Sequence, residues 1–332
     1  MRKTLVLGLD LGGTKIAAGV VESTGKLLSA VRLPTPASGV NEDLAGLFNA
    51  AQSAVASAGV SWPALRAVGV GVPGAFDPAT ETVWAPNLPG WGTVPLKRLL
   101  EKTLRRPTFI EGDRNVQALA ETWLASGLPA QAGAKQKIRN LVFLTVGTGI
   151  GAGIIVEGRV VSGTRGLAGA AGWLAVQSGW RAEFARVGCL EALSAGPAVA
   201  RIALGALRED PRSFFGDLAT RQRKWGRVTG EVVVEAARRG DPTARRVLER
   251  AGDDLGRGVA NLVSLLNPEM VVVGGGLAGA GELLLKPLRR AVRKWGQPLA
   301  TRHLRIARSR LGENAGILGA ARYALLKLEE MD

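Results

Sequence analysis

Residues 4–21 read Thr4-Leu-Val-Leu-Gly-Leu-Asp-Leu-Gly-Gly-Thr-Lys-Ile-Ala-Ala-Gly-Val-Val21, two apolar runs joined by a glycine turn. The first run ends near a carboxylate, Asp10, and the second begins at Ile16. Short apolar runs bounded by glycine turns are typical of buried strands. The stretch therefore predicts a strand meander, which differs from the strand, turn and helix of a Rossmann unit.

The same layout returns later in the chain. Leu141–Val146 runs into Gly147-Thr148-Gly149, and Ile150–Val156 follows as a second apolar run. A repeated strand, turn and strand predicts two domains of related design. Strands and amphipathic helices alternate around both meanders, so we predict an α/β protein whose layout is duplicated.

The remaining elements follow from apolar periodicity and turn residues. Helices are predicted at about 42–58, 95–104, 114–126, 191–205, 230–239, 242–266, 281–295 and 315–328. Further strands are predicted at 27–33, 67–72, 108–110 and 270–273, and the polar segment 129–137 is predicted to be a surface loop.

The composition narrows the possible functions. The chain has 332 residues, 46% hydrophobic and 21% charged, which is ordinary for a globular protein and long enough for two domains. The single cysteine, Cys189, excludes an intrachain disulfide and a four-cysteine zinc site. The single histidine, His303, leaves little room for histidine-based chemistry.

The net charge of +15 does not by itself indicate a nucleic-acid partner. The basic residues are scattered, and the densest clusters, at 221–227 and 289–294, are interpreted as solvated helix faces. We find no secretion signal and no apolar stretch long enough to cross a bilayer. We therefore predict a cytoplasmic protein with neither a nucleic-acid nor a membrane partner.

Two segments place a carboxylate at the end of a strand. In Asp10-Leu-Gly-Gly-Thr-Lys15, glycine N–H groups beside a carboxylate suit a magnesium nucleotide, although the same letters also fit a plain β-turn. In Glu111-Gly-Asp-Arg-Asn115, Asp113 lies where a strand meets a helix. Asp113 is therefore either a helix cap or a base that accepts a hydroxyl proton.

Two further glycine clusters follow strands. Gly147-Thr-Gly-Ile-Gly151 is either a phosphate cradle or a bulged hairpin, although so many glycines weaken a strand. Gly274-Gly275-Gly276 follows an apolar run and is either a backbone surface for an adenosine or a simple turn. The presence of both glycine hairpins in one chain is stronger evidence than either alone.

In combination these motifs resemble those of the ROK family, over nearly the whole chain and in the family's order. The matching segments are Asp10–Lys15, Asn87-Leu-Pro-Gly-Trp91, Glu111–Asn115, Gly147–Gly151, Gly188-Cys-Leu-Glu191, Val273-Gly-Gly-Gly276 and Gly312-Glu-Asn-Ala-Gly-Ile-Leu-Gly-Ala-Ala321. The resemblance implies a two-lobed, actin-like (ribonuclease-H-like) ATPase fold. We expect one lobe at 1–115 with 315–332 and the other at 116–314.

The resemblance also implies an ATP-dependent sugar kinase that transfers to the 6-hydroxyl, and a homodimer. Asp113 is expected as the catalytic base, and Asp10 as the residue that binds Mg²⁺ with ATP. The residues expected to contact the sugar are Gly74, Asn87, Asn115 and Glu191. Those expected to contact ATP are Asp10, Gly12, Gly13, Thr14, Lys15, Gly147, Thr148, Gly149, Gly275 and Gly276.

The sequence departs from the family pattern at one segment. Ala170 stands where family kinases commonly have a sugar-contacting glutamate, and Trp173 stands where they have a zinc-binding histidine that also reaches the sugar. Of the three zinc cysteines only Cys189 is present, as a buried remnant, so we predict no zinc site. Two polar contacts to the anomeric side of a sugar are therefore missing.

Two questions about this segment stay open at the level of sequence. Trp173 either stacks on a sugar face or packs in the core, and core packing is the favoured alternative. Without zinc, the loop 173–190 is predicted to be held by packing of Trp173, Trp180 and Phe184.

Two functional hypotheses remain. The first is an active sugar kinase of altered specificity, since both carboxylates and the glycine turns are present. The second is a catalytically silent sugar- or nucleotide-binding sensor of the same fold. A DNA-binding repressor is not favoured, because the phosphate motif begins near residue 10 with no helix-turn-helix segment before it.

Overall fold

The computed structural model describes residues 3–124, 138–206, 215–216 and 228–332. The predicted loop at 129–137 and the basic residues at 221–227 lie outside these ranges. The strands are β1 (Leu5–Leu11), β2 (Lys15–Glu22), β3 (Val31–Pro34), β4 (Leu65–Val72), β5 (Ala75–Asp77), β6 (Thr82–Trp84), β7 (Thr108–Gly112), β8 (Leu141–Val146), β9 (Ile150–Val156), β10 (Arg159–Val160), β11 (Met270–Gly274) and β12 (Arg305–Arg308).

The helices of the described residues complete the α/β architecture. They are α1 (Val40–Ser57), α2 (Leu96–Leu104), α3 (Asp113–Leu124), α4 (Phe184–Val187), α5 (Cys189–Ser194), α6 (Gly196–Ala206), α7 (Gly230–Arg238), α8 (Pro242–Leu266), α9 (Glu282–Trp295), α10 (Pro298–Arg302) and α11 (Ala315–Met331). In the described part of the chain, no helix has both the length and the apolar character that crossing a membrane requires.

The two predicted meanders begin two five-stranded sheets. The first sheet has the order β3-β2-β1-β4-β7, in which β1 pairs antiparallel with β2 and parallel with β4. The second has the order β10-β9-β8-β11-β12, in which β11 is parallel to both of its neighbours. Each sheet therefore places a glycine hairpin at the end of its parallel strands, and the predicted duplication is confirmed.

The first sheet is covered on both faces because its side chains alternate between two cores. Leu7, Leu9 and Leu11 pack with α1 and α2, whereas Val6 packs with Ile317 of α11. Successive side chains of a strand point to opposite faces, so a nearly continuous apolar run is what a doubly covered strand requires.

Helix α11 lies very close to the first sheet because glycines face it. A Cβ atom at Gly69 would lie 1.8 Å from the carbonyl oxygen of Ala320, and one at Gly319 would lie 1.7 Å from that of Val116 in α3. Any larger residue at these positions would force the helix away from β4 or α3. This close approach brings the beginning of α11 to the end of β1.

Several predicted elements differ from the structure. The single helix predicted at 191–205 is two helices, α5 and α6, because Ala195 is extended and Gly196-Pro197 starts a new helix. The third strand of the first meander is shorter than predicted, since only Val31–Pro34 pairs fully with β2. The short elements β5, β6, β10, β12, α4 and α10 carry too little periodicity to be predicted.

The described residues group into two compact units. One contains those within 1–139, 153–168 and 310–332, and the other contains those within 140–152 and 169–309. The lobe boundaries expected from the sequence stay a prediction.

Candidate active site

The carboxylate of Asp10 lies in a close-fitting backbone environment at the end of β1. A Cβ atom at Gly316, in the first turn of α11, would lie 2.1 Å from Oδ2 of Asp10. One at Gly71, its partner on β4, would lie 3.3 Å from Oδ1. Two glycines therefore leave room for this carboxylate, and the C-terminal glycine motif contributes directly to its surroundings.

Asp113 begins helix α3 directly after β7 and lies in the same unit as Asp10. Its Oδ1 accepts a hydrogen bond of 2.7 Å from the backbone N–H of Arg114. The side chain is 34% exposed, so one edge of the carboxylate stays open to a ligand. A bond to the N–H of the next residue is compatible with a catalytic role for Asp113, which stays a prediction.

The charge of Asp113 affects the titration of Asp10. Burial, and then the charge of Asp113, raise the pKa of Asp10 to about 7, while Lys15 opposes the shift. Burial also raises the pKa of Asp113, and the charge of Arg114 and its backbone hydrogen bond oppose that rise. Mg²⁺ in nucleotide sites is bound through one or two carboxylates together with phosphate oxygens. This pair fits such an ion, because a cation beside it would offset the repulsion.

Asn115 is held by the carboxylate of Glu111, a residue of the same motif for which no role was predicted. Oε1 of Glu111 accepts from Nδ2 of Asn115 at 3.0 Å and from the N–H of Gly112 at 2.8 Å. Its Oε2 accepts from the Ser162 hydroxyl at 2.8 Å. Oδ1 of the buried Asn115 has no hydrogen-bond partner within the described residues. Such an orphaned acceptor is suited to a ligand hydroxyl.

The tip of the first hairpin, residues 12–15, is exposed, and hydrogen bonds from Thr35 fix its backbone. Thr35 donates its hydroxyl to the carbonyl oxygen of Gly12 at 2.7 Å and its N–H to that of Thr14 at 3.0 Å. A Cβ atom at Gly13 would meet open space, so packing does not explain that glycine. Lys15 pairs with Glu313 at 3.0 Å. The tip therefore offers accessible backbone beside Asp10.

Asn87 lies exposed in the segment between β6 and α2, and the tryptophan of its motif anchors that segment. Nε1 of the buried Trp91 donates to Oδ2 of Asp43 at 2.8 Å, and Oδ1 of Asp43 accepts from the N–H of Ala37 at 3.0 Å. Asp43 is fully buried, although it lies near the start of the helix predicted at 42–58, where an exposed side chain would be ordinary. Trp91 and Asp43 are far apart in the chain, so no local sequence pattern predicts their hydrogen bond.

Position 74 must be a glycine, because neighbouring backbone in the same unit leaves no room for a side chain. A Cβ atom there would lie 2.1 Å from the carbonyl oxygen of Trp84, and one at Gly112 would lie 3.3 Å from the carbonyl oxygen of Gly74. The predicted sugar-side glycine thus packs directly against the residue that precedes Asp113.

The second hairpin receives its carboxylate from a helix. Oε2 of Glu191, on α5, accepts from the N–H of Ile150 at 2.7 Å, and a Cβ atom at Gly149 would lie 2.9 Å from the same oxygen. Burial raises the pKa of Glu191, and the bond from Ile150 opposes that rise. The same oxygen would lie 2.9 Å from a Cβ atom at Gly172, so Glu191 is pressed against two glycines.

A cavity of about 510 Å³ opens beside the second hairpin, within one unit. Its size is typical of a small-molecule site. It is lined by Gly147, Thr148, Gly196, Pro197, Ala200, Arg201, Leu204, Val228, Thr229, Gly230, Glu231 and Leu277. Gly147 and Thr148 were predicted ligand residues, whereas the contribution of α6 and α7 was missed. Glycine at the start of both helices was the available signal, since a Cβ atom at Gly230 would lie 3.0 Å from the Cα of Gly196.

The third glycine cluster lies next to this cavity. Gly275 has a φ of +83°, and a Cβ atom there would lie 2.4 Å from the carbonyl oxygen of Val146. A Cβ atom at Gly276 would lie 3.2 Å from Oε1 of Glu231, a cavity-lining residue. The cluster is therefore a close backbone contact between β11 and β8, and Gly276 faces the same cavity.

The segment that departs from the family pattern requires two corrections. Trp173 is 56% exposed and Trp180 is 74% exposed, so neither packs in the core and neither holds the loop 173–190. Phe184 and Cys189 are buried, as predicted. Among the described residues, no three His, Cys, Asp or Glu side chains cluster as metal ligands would.

The fold defines a class of protein, the proteins with the two-lobed actin-like ATPase fold, and each of its two five-stranded sheets carries a glycine hairpin. The sequence model of the ROK family matches residues 6–327. A glucokinase of Thermotoga maritima is 34% identical over 324 residues, which cover 97% of each chain. This chain belongs to the ROK family.

Solved structures give the same result. A ROK hexokinase from Thermus thermophilus is 37% identical, with a TM-score of 0.77, and the match covers 98% of this chain and 100% of that one. A ROK family glucokinase from Streptomyces griseus, in complex with glucose and AMPPNP, is 34% identical with a TM-score of 0.74, covering 97% and 99%.

Proposed function

We propose that this chain is an ATP-dependent sugar kinase that transfers the γ-phosphoryl group to a sugar hydroxyl. The observation that carries the proposal is Asp113, a partly open carboxylate at the start of α3, whose charge raises the pKa of the half-buried Asp10. Phosphoryl transfer needs a group that orients and deprotonates the acceptor and a group that holds a metal ion. The membership of the ROK family and the kinases similar to this chain support the same activity.

In this mechanism Asp113 accepts the proton of the sugar hydroxyl as its oxygen bonds to the γ-phosphorus. The bond to the bridging oxygen of ATP breaks, and ADP leaves. Asp113 is held in place because its Oδ1 accepts from the N–H of Arg114. A fixed carboxylate lowers the barrier mainly by orienting the acceptor. The 6-hydroxyl is the proposed acceptor.

We propose that Asp10 holds Mg²⁺ together with the phosphates of ATP. Bound Mg²⁺ would neutralise the charge on the phosphate oxygens. Gly12, Gly13, Thr14 and Lys15 present their backbone and one ammonium group at the exposed tip beside Asp10. The Lys15 ammonium, now paired with Glu313 at 3.0 Å, is exposed enough to exchange that partner for a phosphate.

We propose that the cavity of the second unit holds the adenosine end of ATP. Its walls combine the small surfaces of Gly147 and Gly196 with apolar Leu204 and Leu277. Glu231 is a carboxylate acceptor suited to ribose hydroxyls. Thr148, Gly149, Gly275 and Gly276 belong to this nucleotide site.

Sugar contacts are assigned to Gly74, Asn87, Asn115 and Glu191. The unpaired Oδ1 of Asn115 supports this assignment most directly, because a buried acceptor without a donor is costly unless a ligand supplies one. A homodimer, which rests on the family resemblance, and a cytoplasmic location, which rests on the sequence, remain proposals.

The test is sugar-dependent ADP release with Mg-ATP across hexoses, amino sugars, N-acetylated sugars and disaccharides. We expect Asp113→Asn to lower transfer by about 10²- to 10⁴-fold while ATP affinity and the free energy of unfolding are retained. Asp253→Asn, which removes a carboxylate from a partly exposed ion pair on α8, serves as the matched control and is expected to keep full activity. Turnover at the wild-type rate in Asp113→Asn would show that the base is another group.

The alternative, a silent sensor, has weaker support. It predicts that folded protein binds ATP and sugar yet releases no ADP with any sugar of the panel. Turnover separates the two hypotheses, whereas ATP binding alone does not.

A further inference from the structure

Three charged side chains meet beside the first hairpin. Oε1 of Glu313 accepts from Nζ of Lys15 at 3.0 Å, and its Oε2 lies 3.3 Å from Nε of Arg32. A second nitrogen of the Arg32 guanidinium donates to Oδ1 of Asn314. A single carboxylate therefore bridges two cations that come from the neighbouring strands β2 and β3. We call Lys15, Arg32 and Glu313 the bridged cluster.

The bridged cluster lies beside the position proposed for Mg²⁺ and the phosphates. Lys15 belongs to the hairpin tip that follows Asp10. Glu313 comes three residues before Gly316, where a Cβ atom would lie 2.1 Å from Oδ2 of Asp10. All of these residues belong to one unit. Both cations are therefore at the end of the first sheet where the carboxylate proposed to hold the metal ion lies.

The bridged cluster is accessible and has more positive than negative charge. Lys15 and Arg32 are cations, whereas Glu313 is the one anion among the three residues. The side chain of Glu313 is 68% exposed, and the other two are partly exposed. Lys15, and then Arg32, lower the pKa of Glu313, so its carboxyl group stays ionised at neutral pH. Exposed ion pairs add little to stability, so a ligand with several negative charges can displace this carboxylate.

We propose that Arg32 binds the phosphates of the nucleotide together with Lys15, and that Glu313 is the anion that both cations release when the phosphates arrive. The inference rests on the proposed function and adds a phosphate-binding residue and a competing carboxylate to it. A guanidinium group offers several donors in a planar geometry that matches phosphate oxygens. Glu313 opposes phosphate binding because it occupies these donors and repels the phosphate oxygens.

A purely structural role for Glu313 predicts a change of the opposite sign. If Glu313 only held Lys15 in place, Glu313→Gln would loosen the ammonium group and weaken nucleotide binding. If Glu313 competes with phosphate, the same substitution frees both cations and strengthens nucleotide binding. Glutamine keeps the size of the side chain and removes its charge, so the sign of the change separates the two roles.

The experiment is calorimetric titration with Mg-ATP, Mg-ADP and adenosine, for the wild type, Arg32→Gln and Glu313→Gln. We expect Arg32→Gln to raise Kd for ATP and ADP about three- to tenfold, and Glu313→Gln to lower both about threefold. Adenosine has no phosphate and should bind all three proteins equally. Added salt should reduce both changes, since it screens charges at exposed sites.

Each variant has a control that makes the same change of charge elsewhere in the same unit. Arg66→Gln removes an exposed cation near the beginning of β4, whereas Gly71, the partner of Asp10, lies near the end of that strand. Glu329→Gln removes an exposed carboxylate near the end of α11, where it pairs with Arg322 at 3.4 Å. We expect neither control to change Kd by more than about twofold, because distant exposed charges are screened.

Every outcome decides the inference. Equal Kd values in Arg32→Gln and Arg66→Gln, or weaker nucleotide binding in Glu313→Gln, would overturn it. Equal changes for adenosine and ATP, or a wild type that binds neither ATP nor ADP, would overturn it too. Sugar-dependent ADP release judges the proposed function separately. Protein that shows the expected changes in Kd and phosphorylates no sugar would support both phosphate roles and contradict the kinase.

Discussion

The carboxylate beside the first glycine hairpin belongs to a strand of that hairpin, whereas the carboxylate beside the second hairpin belongs to a helix. In the first, Asp10 is part of strand β1, and two glycines of neighbouring elements, Gly71 and Gly316, make room for its carboxylate. In the second, β8 ends without a carboxylate, and Glu191 reaches in from α5 to accept from the N–H of Ile150. The two turns have the same layout and different sources of negative charge.

This difference shows how a duplicated scaffold acquires two chemistries. A carboxylate in a strand cannot move without moving the sheet, which suits a residue that holds a metal ion with phosphates. A carboxylate on a helix belongs to neither hairpin strand, which suits a residue that binds a substrate. Substitutions at the two acids should therefore affect different quantities.

The largest effect is expected for Asp10→Asn. The change removes the charge proposed to hold Mg²⁺, and we expect sugar-dependent ADP release to fall by at least about 10²-fold. The free energy of unfolding should be unchanged or higher, because burial penalises the charge of Asp10 in the folded state. Initial rates and urea unfolding measure the two quantities. A variant that keeps its rate would remove the distinction between the hairpins.

A smaller effect, on stability, is expected for Gly316→Ala. The added methyl would meet Asp10 Oδ2 at 2.1 Å, so the first turn of α11 must shift, at a cost of about 1–3 kcal/mol. Gly205→Ala on α6 is the control, since its Cβ atom would meet open space. Chemical denaturation compares the two variants, and equal stabilities would show that Asp10 is not tightly enclosed.

The smallest effect is expected for Glu191→Gln. The amide oxygen still accepts from Ile150, so the hairpin is kept, and we expect KM for the sugar to rise about tenfold while kcat changes little. Because the pKa of Glu191 is raised by folding, the wild type should lose stability relative to the variant as pH rises from 4.5 through the raised pKa.

The direction of this pH dependence is checked by measuring the free energy of unfolding against pH. The proteins compared are the wild type, Glu191→Gln and the surface variant Glu235→Gln. A wild type that instead gains stability over Glu191→Gln in that window would mean that the bond from Ile150 outweighs the burial of the carboxylate.

Much of the fold was predictable because its signals are local. Both meanders, the limits of α8 and the strand β11 follow from apolar runs bounded by glycine, proline or asparagine. The break between α5 and α6 was missed although Gly196-Pro197 marks it, since the apolar periodicity continues across it. Short strands such as β12 have too few residues to show an alternation of apolar and polar side chains.

The candidate site was predictable only in part. Asp10, Asp113 and the glycine turns are visible as motifs, but the partners of these residues are not. Glu111 meets Ser162, and Asp43 meets Trp91, through contacts between distant parts of the chain. The exposure of Trp173 was also hidden, because an indole is more often buried than open and only its surroundings decide.

The placement of α11 on the first sheet has a consequence for protein synthesis. Gly8 of β1 lies against the carbonyl oxygen of Ile317, where a Cβ atom would be 2.1 Å away. A nascent chain therefore holds an uncovered apolar sheet face until residues 315–331 have left the ribosome, and contacts of such long sequence separation form slowly. Asp10 acquires its full environment only at that late moment, so a partly synthesised chain is exposed to aggregation before it becomes a catalyst.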